Sequence, residues 1–296
     1  MKAWVLHGIN DLRFEQVPTP EPKRGEVSVR VKAVGVCGSD VPRVFSAGAY
    51  HYPIIPGHEF SGITPEGRRV GVFPLIPCFE CESCGRGIYE TCSNYGYIGS
   101  RRDGAFAECV AVPEWNLMEL PDGVSFEQGA MLEPVSVALH AARMIENAKS
   151  AAVVGNGAIG ILTARWIDML GGNAAVIGRN DNSSKMYDAC VEAVGSIESL
   201  QRSVDAVKPN GRLVLVGNPN ADFSINQKLY WQILRKQLTV KGSWNSGYPN
   251  DWRFALEHIS ELNLDELISH RFRFDELDKA LTVMTAEKHL KVLVNL

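Results

Sequence analysis

At Ala151 the chain changes texture, and the stretch that follows limits the fold more than any other. Ala152-Val153-Val154 is a short apolar run, read as a buried strand. Gly155-Asn156-Gly157-Ala158-Ile159-Gly160 comes next, and residues 161–170 read as a helix. In such a turn the first glycine permits the sharp bend and the second lets backbone approach a pyrophosphate. The third lets the helix pack closely on the strand, and the helix N-terminus favours the phosphate charge. A packing turn with no ligand would satisfy the same spacing, so the surroundings must decide. Strands expected at Ala174–Ile177, 189–194 and 212–216 alternate with short helices, the pattern of a doubly wound parallel sheet.

Residues 1 to about 140 differ. They are strand-rich, punctuated by Gly and Pro, and Val27-Ser28-Val29-Arg30-Val31-Lys32-Ala33-Val34 alternates as a half-buried strand should. A β-barrel or sandwich is expected there. Ser125 has the character of a helix N-cap, with Gln128 three residues on. After Glu266 the chain returns to short strands, ending in Lys291-Val292-Leu293-Val294, which are placed to rejoin the first domain.

Four cysteines, Cys78, Cys81, Cys84 and Cys92, are spaced to close one tetrahedral shell, and a compact Cys₄ set is the usual structural zinc site. A disulfide framework fits less well. Met1–Gly8 reads as a strand running into a turn rather than a secretory signal, and seven cysteines suit a reducing cytoplasm. An iron–sulfur cluster would need a redox partner the sequence does not offer. Cys109 and Cys190 sit in apolar runs and read as core residues. A net charge of −4 gives no reason to expect nucleic acid, and no apolar run approaches the roughly 20 residues of a membrane helix.

A second metal set is scattered. Cys37 lies in Gly35-Val36-Cys37-Gly38-Ser39-Asp40, His58 and Glu59 follow Gly57, and Glu133 lies in Leu132-Glu133-Pro134. One thiolate, one imidazole and one carboxylate leave a coordination position open for substrate, the mark of catalytic zinc. Together with the Cys₄ lobe, the glycine turn, Ala49-Tyr50-His51-Tyr52-Pro53 and Ile98-Gly99-Ser100-Arg101-Arg102-Asp103-Gly104, these segments resemble the zinc-containing medium-chain alcohol dehydrogenases, nearest the polyol branch.

The resemblance covers essentially the whole chain. It implies an α/β architecture: a GroES-like β-barrel catalytic domain over 1–142 with its zinc lobe at 77–93, a Rossmann doubly wound domain over 143–266, and a return over 267–296. It implies two zinc ions per chain, one structural and one catalytic, the latter held by Cys37, His58 and either Glu59 or Glu133. Ser39 would pass the substrate proton toward solvent, and Asp40 would orient a ligand. The implied reaction moves a hydride between a secondary alcohol of a polyol or polyol phosphate and NAD or NADP, zinc lowering the hydroxyl pKa. Gly155, Gly157, Ala158, Ile159, Gly160, Arg179, Gly217 and Arg235 are the implied nucleotide contacts, and Tyr50 and His51 the implied substrate-pocket residues. A cytoplasmic homodimer or homotetramer is also implied. A zinc-stabilised relative without activity, acting as a binding module, is the alternative.

The chain departs from the pattern in two places. Where relatives carry an acid for the ribose hydroxyls, it reads Val176-Ile177-Gly178-Arg179-Asn180-Asp181. Arg179 suits a 2′-phosphate, whereas Asn180 or Asp181 would suit the ribose. Residues 178–186 are also too few for a helical crossover, which needs at least about 10–12 residues. Stretched out, they reach about 30 Å. Residues 61–69 are likewise tighter than the barrel hairpin of the relatives. Either the sequence joins pieces of a longer chain, the reading that the matching flanks favour, or the sheet has lost its edge strand while keeping the central ones.

Overall fold

The computed structural model describes all of residues 1–296 except 182, 183, 220 and 287. It divides into two compact units, Met1–Glu133 with Gly247–Leu296, and Pro134–Ser246.

The first unit is built around one long strand, Glu26–Val36. Its first half pairs with Cys109–Pro113 and its second half with the C-terminal strand Lys291–Asn295, while Glu59–Ile63 runs antiparallel along the other side. A register shift between Val31 and Ala33 marks the bend between the halves. The expected alternation holds through Val29, Arg30 and Val31, and then every residue from Ala33 to Val36 is buried. The strand thus dives into the interior just before Cys37. Its core includes Val29, Val31, Val34, Phe60, Val70, Phe106 and Val292. Ser125 caps the helix Phe126–Ala130 in a reciprocal box, its hydroxyl accepting from the Gln128 amide at 3.1 Å. Cys109 differs from expectation: it is half-buried beside the Ser28 hydroxyl at 2.8 Å, whereas Cys190 is fully buried.

The contact boundaries fall at Glu133 and Ser246 where the sequence suggested 142 and 266. The later boundary moves because Tyr248 stacks on Phe73 at 4.5 Å and Trp252 packs edge-on to the same ring at 5.5 Å. Those two aromatics draw their segment into the first unit.

The second unit is a five-stranded, all-parallel sheet in the order Ala174–Ile177, Ala151–Val154, Tyr187–Glu192, Val207–Leu215, Thr239–Gly242. Ala174–Ile177 stands at one edge. The chain passes from Ile177 to Tyr187 with no helix among the described residues. Arg202, on the helix Ile197–Ala206, donates to the carbonyls of Arg179 and Asp181 at 2.9 and 2.6 Å and pins this connection. That is the geometry of a sheet without its usual edge strand; residues 182 and 183 of the connection lie outside the described ones.

Candidate functional site

Three side chains from two neighbouring strands converge at the buried end of Glu26–Val36. Cys37 follows that strand, while His58 and Glu59 stand where Glu59–Ile63 begins, opposite Gly35. One ligand atom from each of Cys37, His58 and Glu59 lies within 4.8 Å of the other two. His58 and Glu59 are buried. Glu133, at the start of the helix Leu132–Arg143, is buried too but is not one of the three.

Asp40 organises this group. Its carboxylate accepts the Cys37 amide at 3.0 Å and the Arg43 guanidinium at 2.7 Å, and it faces His58 Nδ1 at 3.6 Å. His58 Nδ1 has no closer polar partner among the described residues. The Ser39 hydroxyl donates to the Cys37 sulfur at 3.3 Å. Lys291 pairs with Glu59 and reaches the Val36 carbonyl at 3.4 Å. Gly35 makes room for that pair, since a β-carbon there would collide with the Glu59 carboxylate and the Lys291 stem.

The electrostatics are those of a pocket short of positive charge. Burial, with the Glu59 and Asp40 carboxylates beside it, pushes the Cys37 thiol up. Burial and then Glu59 push the Glu133 carboxyl up to about 7. For Lys291, burial opposes the charge, but Glu59 and Cys37 outweigh it and hold its pKa above the ordinary value. A bound dication relieves these strains together, because it favours the thiolate and both carboxylates. The donor set of one sulfur, one imidazole and one carboxylate therefore fits zinc.

The Cys₄ lobe passes a sharper test. Zn–S bonds of about 2.3 Å put tetrahedral sulfurs about 3.8 Å apart. The observed separations are 4.0 Å for Cys78–Cys84, 3.9 Å for Cys81–Cys92 and 3.5 Å for Cys78–Cys92. All seven cysteines are free, and these distances are far beyond a disulfide bond. Backbone amides of Cys84 and Ser93 hold the Cys81 thiol down at about 5, already poised as thiolate. The lobe docks through Phe79 and Tyr89, each 5.0 Å from the Trp115 ring, and Trp115 in turn packs on Tyr248 at 4.7 Å.

In the second unit the three glycines divide their work. Gly155 has φ +122° and supplies the bend. Gly157, the N-cap of the helix Ala158–Met169, has open space where a β-carbon would stand, while one on Gly160 would strike the Gly155 carbonyl. Ala158 and Ile159 open the helix between them. Arg179 is exposed just beyond Ile177, and the Asp181 carboxylate is turned back onto the Gly178 amide at 2.6 Å. Gly217 packs against Gly195 and the Glu192 side chain. Arg235 stacks on Trp231 at 4.9 Å.

Sequence reasoning missed Lys291, Arg43 and Tyr97, whose ring stands 5.7 Å from that of His58. A lysine at the start of a terminal strand reads as solvated; its only signal was the wholly apolar run behind it.

A barrel carrying a Cys-His-Glu cluster and a Cys₄ lobe, joined in one chain to a parallel sheet with a nucleotide turn, defines a class, the zinc-type medium-chain dehydrogenases, and this chain belongs to that family. Residues 23–122 match the alcohol dehydrogenase GroES-like domain, and residues 158–261 match the zinc-binding dehydrogenase domain. The chain is closely related to the polyol dehydrogenases. It is 33% identical to galactitol 1-phosphate 5-dehydrogenase of Escherichia coli K12 over 330 aligned positions, 95% of each chain. It is 28% identical to sorbitol dehydrogenase of Halalkalibacterium halodurans over 99% of each. The crystal structure of galactitol-1-phosphate dehydrogenase from Escherichia coli superposes over all of both chains with a TM-score of 0.90 at 33% identity. A zinc-binding dehydrogenase from Sinorhizobium meliloti bound to NADP gives 0.88 at 27% identity, covering 100% of this chain and 99% of its own. The 330 aligned positions outnumber the 296 residues of this chain, so the shortage against the relative is internal.

Proposed function

We propose that this protein is a zinc-dependent, NAD(P)-linked oxidoreductase that transfers a hydride between a secondary alcohol of a polyol or polyol phosphate and the nicotinamide. The observation that carries the reading is the Cys37–His58–Glu59 cluster, a three-ligand set that leaves a tetrahedral ion one coordination position for substrate. Zinc bound there would supply a Lewis acid toward the substrate hydroxyl, and NAD(P) bound to the second unit would supply the hydride acceptor. Cys37, His58 and Glu59 would hold the metal, with Glu133 as the neighbouring carboxylate. Asp40 fixes the Cys37 loop and faces His58, and Arg43 fixes Asp40. The Ser39 hydroxyl, which donates to the Cys37 sulfur at 3.3 Å, would take the substrate proton and hand it outward. Cys78, Cys81, Cys84 and Cys92 hold the structural zinc and touch no substrate.

Gly155, Gly157 and Gly160 receive the pyrophosphate. Arg179, free of Asp181, favours the 2′-phosphate of NADP. The strand Thr239–Gly242 is exposed along its whole length at the edge of its sheet, which supports assembly as a homodimer or homotetramer. Seven free cysteines support a cytoplasmic home. No helix among the described residues is long and apolar enough to cross a membrane.

The test is direct. Purified protein should contain two zinc ions per chain and reduce NAD or NADP with some polyol or polyol phosphate; an active Cys37→Ser variant would refute the mechanism. The shortened sheet favours one other reading, a zinc-stabilised binding module without turnover. Calorimetric titration with NADH and NADPH separates the two, since binding of neither would favour the module.

A further inference from the structure

Arg101, Arg102 and Arg235 meet three different fates in the structure. Arg102 is spent on Glu26 and on the Ala111 carbonyl, both at 2.9 Å. Arg235 lies on the helix Gln227–Arg235 of the second unit, stacked on Trp231. Arg101 is different. Its guanidinium lies over the Tyr50 ring at 4.5 Å and over the Tyr95 ring at 4.6 Å. No carboxylate or carbonyl among the described residues takes its N–H groups. The acid nearest in sequence, Asp103, accepts the Ile55 amide at 2.9 Å instead. Aromatic rings engage the face of a guanidinium and leave its in-plane donors free. Arg101 therefore rests on two rings with its phosphate-binding edge unspent.

This arginine is also tied to the metal site. The amides of Ser100, Arg101 and Arg102 all donate to the Tyr97 carbonyl, and the Gly99 amide donates to the Arg102 carbonyl at 2.8 Å, closing a tight loop. The loop seats on the segment before His58: Gly104 donates to Ile55, Ala105 to Gly57 and Phe106 to Pro56, at 2.7–2.9 Å. A β-carbon on Gly99 or Gly104 would strike the Gly57 backbone, so contact is as close as glycine allows. The rings continue the path. His58 to Tyr97 is 5.7 Å, Tyr97 to Tyr95 is 6.3 Å, and Arg101 follows at 4.6 Å.

We propose that Arg101, stacked on Tyr50 and Tyr95, is the phosphate-recognition residue of the substrate site, so that the cognate alcohol is a polyol carrying a terminal phosphate ester. This rests on the dehydrogenase reading above and adds the substrate class. Tyr50 and Tyr95 orient the guanidinium; a planar fork so held matches phosphate oxygens two at a time.

The experiment compares zinc-loaded wild type, Arg101→Gln and Arg101→Lys on a polyol and on its terminal phosphate ester. The wild type should prefer the ester. Arg101→Gln should lose about 10- to 150-fold in kcat/KM for the ester, chiefly through KM, the span expected for a hydrogen-bonded charge. Its loss on the free polyol, which lacks the phosphate, should be much smaller than on the ester, and Arg101→Lys should recover part of the loss on the ester. Equal losses on both substrates, or no loss on either, would overturn the proposal. Calorimetric titration with inorganic phosphate keeps its failure apart from failure of the dehydrogenase reading. Phosphate binding abolished by Arg101→Gln, in a protein that turns over no alcohol, would sink the dehydrogenase and leave the phosphate site standing. Turnover of polyols with phosphate binding indifferent to Arg101 would do the reverse.

Discussion

Lys291→Met should loosen the metal pocket far more in the metal-free protein than in the zinc-loaded one. Lys291 and Glu59 are 5% and 2% exposed, so each relies on the other for what water would otherwise supply. Removing one partner of such a pair leaves an uncompensated buried charge, a cost of about 3–5 kcal/mol. Against a typical total stability of about 5–15 kcal/mol, that is a large loss. Hydrogen exchange in Glu26–Val36, Glu59–Ile63 and Lys291–Asn295 reads it locally, because these strands carry the pair between them. At tenfold per 1.4 kcal/mol, exchange there should accelerate by roughly two to three and a half orders of magnitude. Zinc brings positive charge to the same carboxylate, so the acceleration should shrink when the site is loaded. Adding Glu59→Gln to Lys291→Met should restore most of the protection in the metal-free protein, since the stranded charge is then gone. Wild-type exchange in metal-free Lys291→Met, or a double variant no better than the single one, would refute the charge argument.

The glycine turn predicts opposite outcomes for two alanines. Gly160→Ala should cost about 1–3 kcal/mol in urea denaturation through the clash with Gly155, whereas Gly157→Ala should keep stability within about 0.5 kcal/mol yet weaken NAD(P)H binding in titration. Cys81→Ser should lower metal content from two zinc ions to one. A loss of ~3 kcal/mol in the lobe would lower the thermal midpoint by about 6–12 °C, while an unchanged count and midpoint would dismiss the Cys₄ site. Glu133 gives a pH test in metal-free protein. Its carboxyl titrates near pH 7 when folded and near 4.5 when unfolded, so the unfolded state binds fewer protons between those values and stability falls as pH rises through them. Glu133→Gln should match wild type at pH 4 and exceed it at pH 8 by at most about 3 kcal/mol; equal stability at both would show the carboxyl is not strained.

Much of the fold was legible because its signals are local. The Ser125–Gln128 capping box, the glycine turn and the strand Ala174–Ile177 form where their spacing places them. The boundary near 266 was less legible, because nothing in the spacing of Tyr248 and Trp252 says they stack with Phe73. The candidate site was half visible. Cys37, His58, Glu59 and Glu133 announce ligand chemistry by type, but which of them gather depends on strand register, and the pairing of Gly35 with Glu59 brings Glu59 beside Cys37 and His58.

By itself, then, the sequence determined the Ser125 capping box, the Cys₄ lobe and the nucleotide turn. Each is settled by residues within about one turn or loop of one another, where steric limits, capping and thiolate spacing act. Tertiary structure alone decided how charge is balanced and where it is left unspent. Lys291 reaches the Val36 carbonyl across 255 positions of chain to hold Glu59. Adjacent residues Arg101 and Arg102 look alike in the sequence, yet one is spent on Glu26 and the other waits between two tyrosines. A buried charge is stabilised only by what lies beside it in space, and chain order carries no record of that.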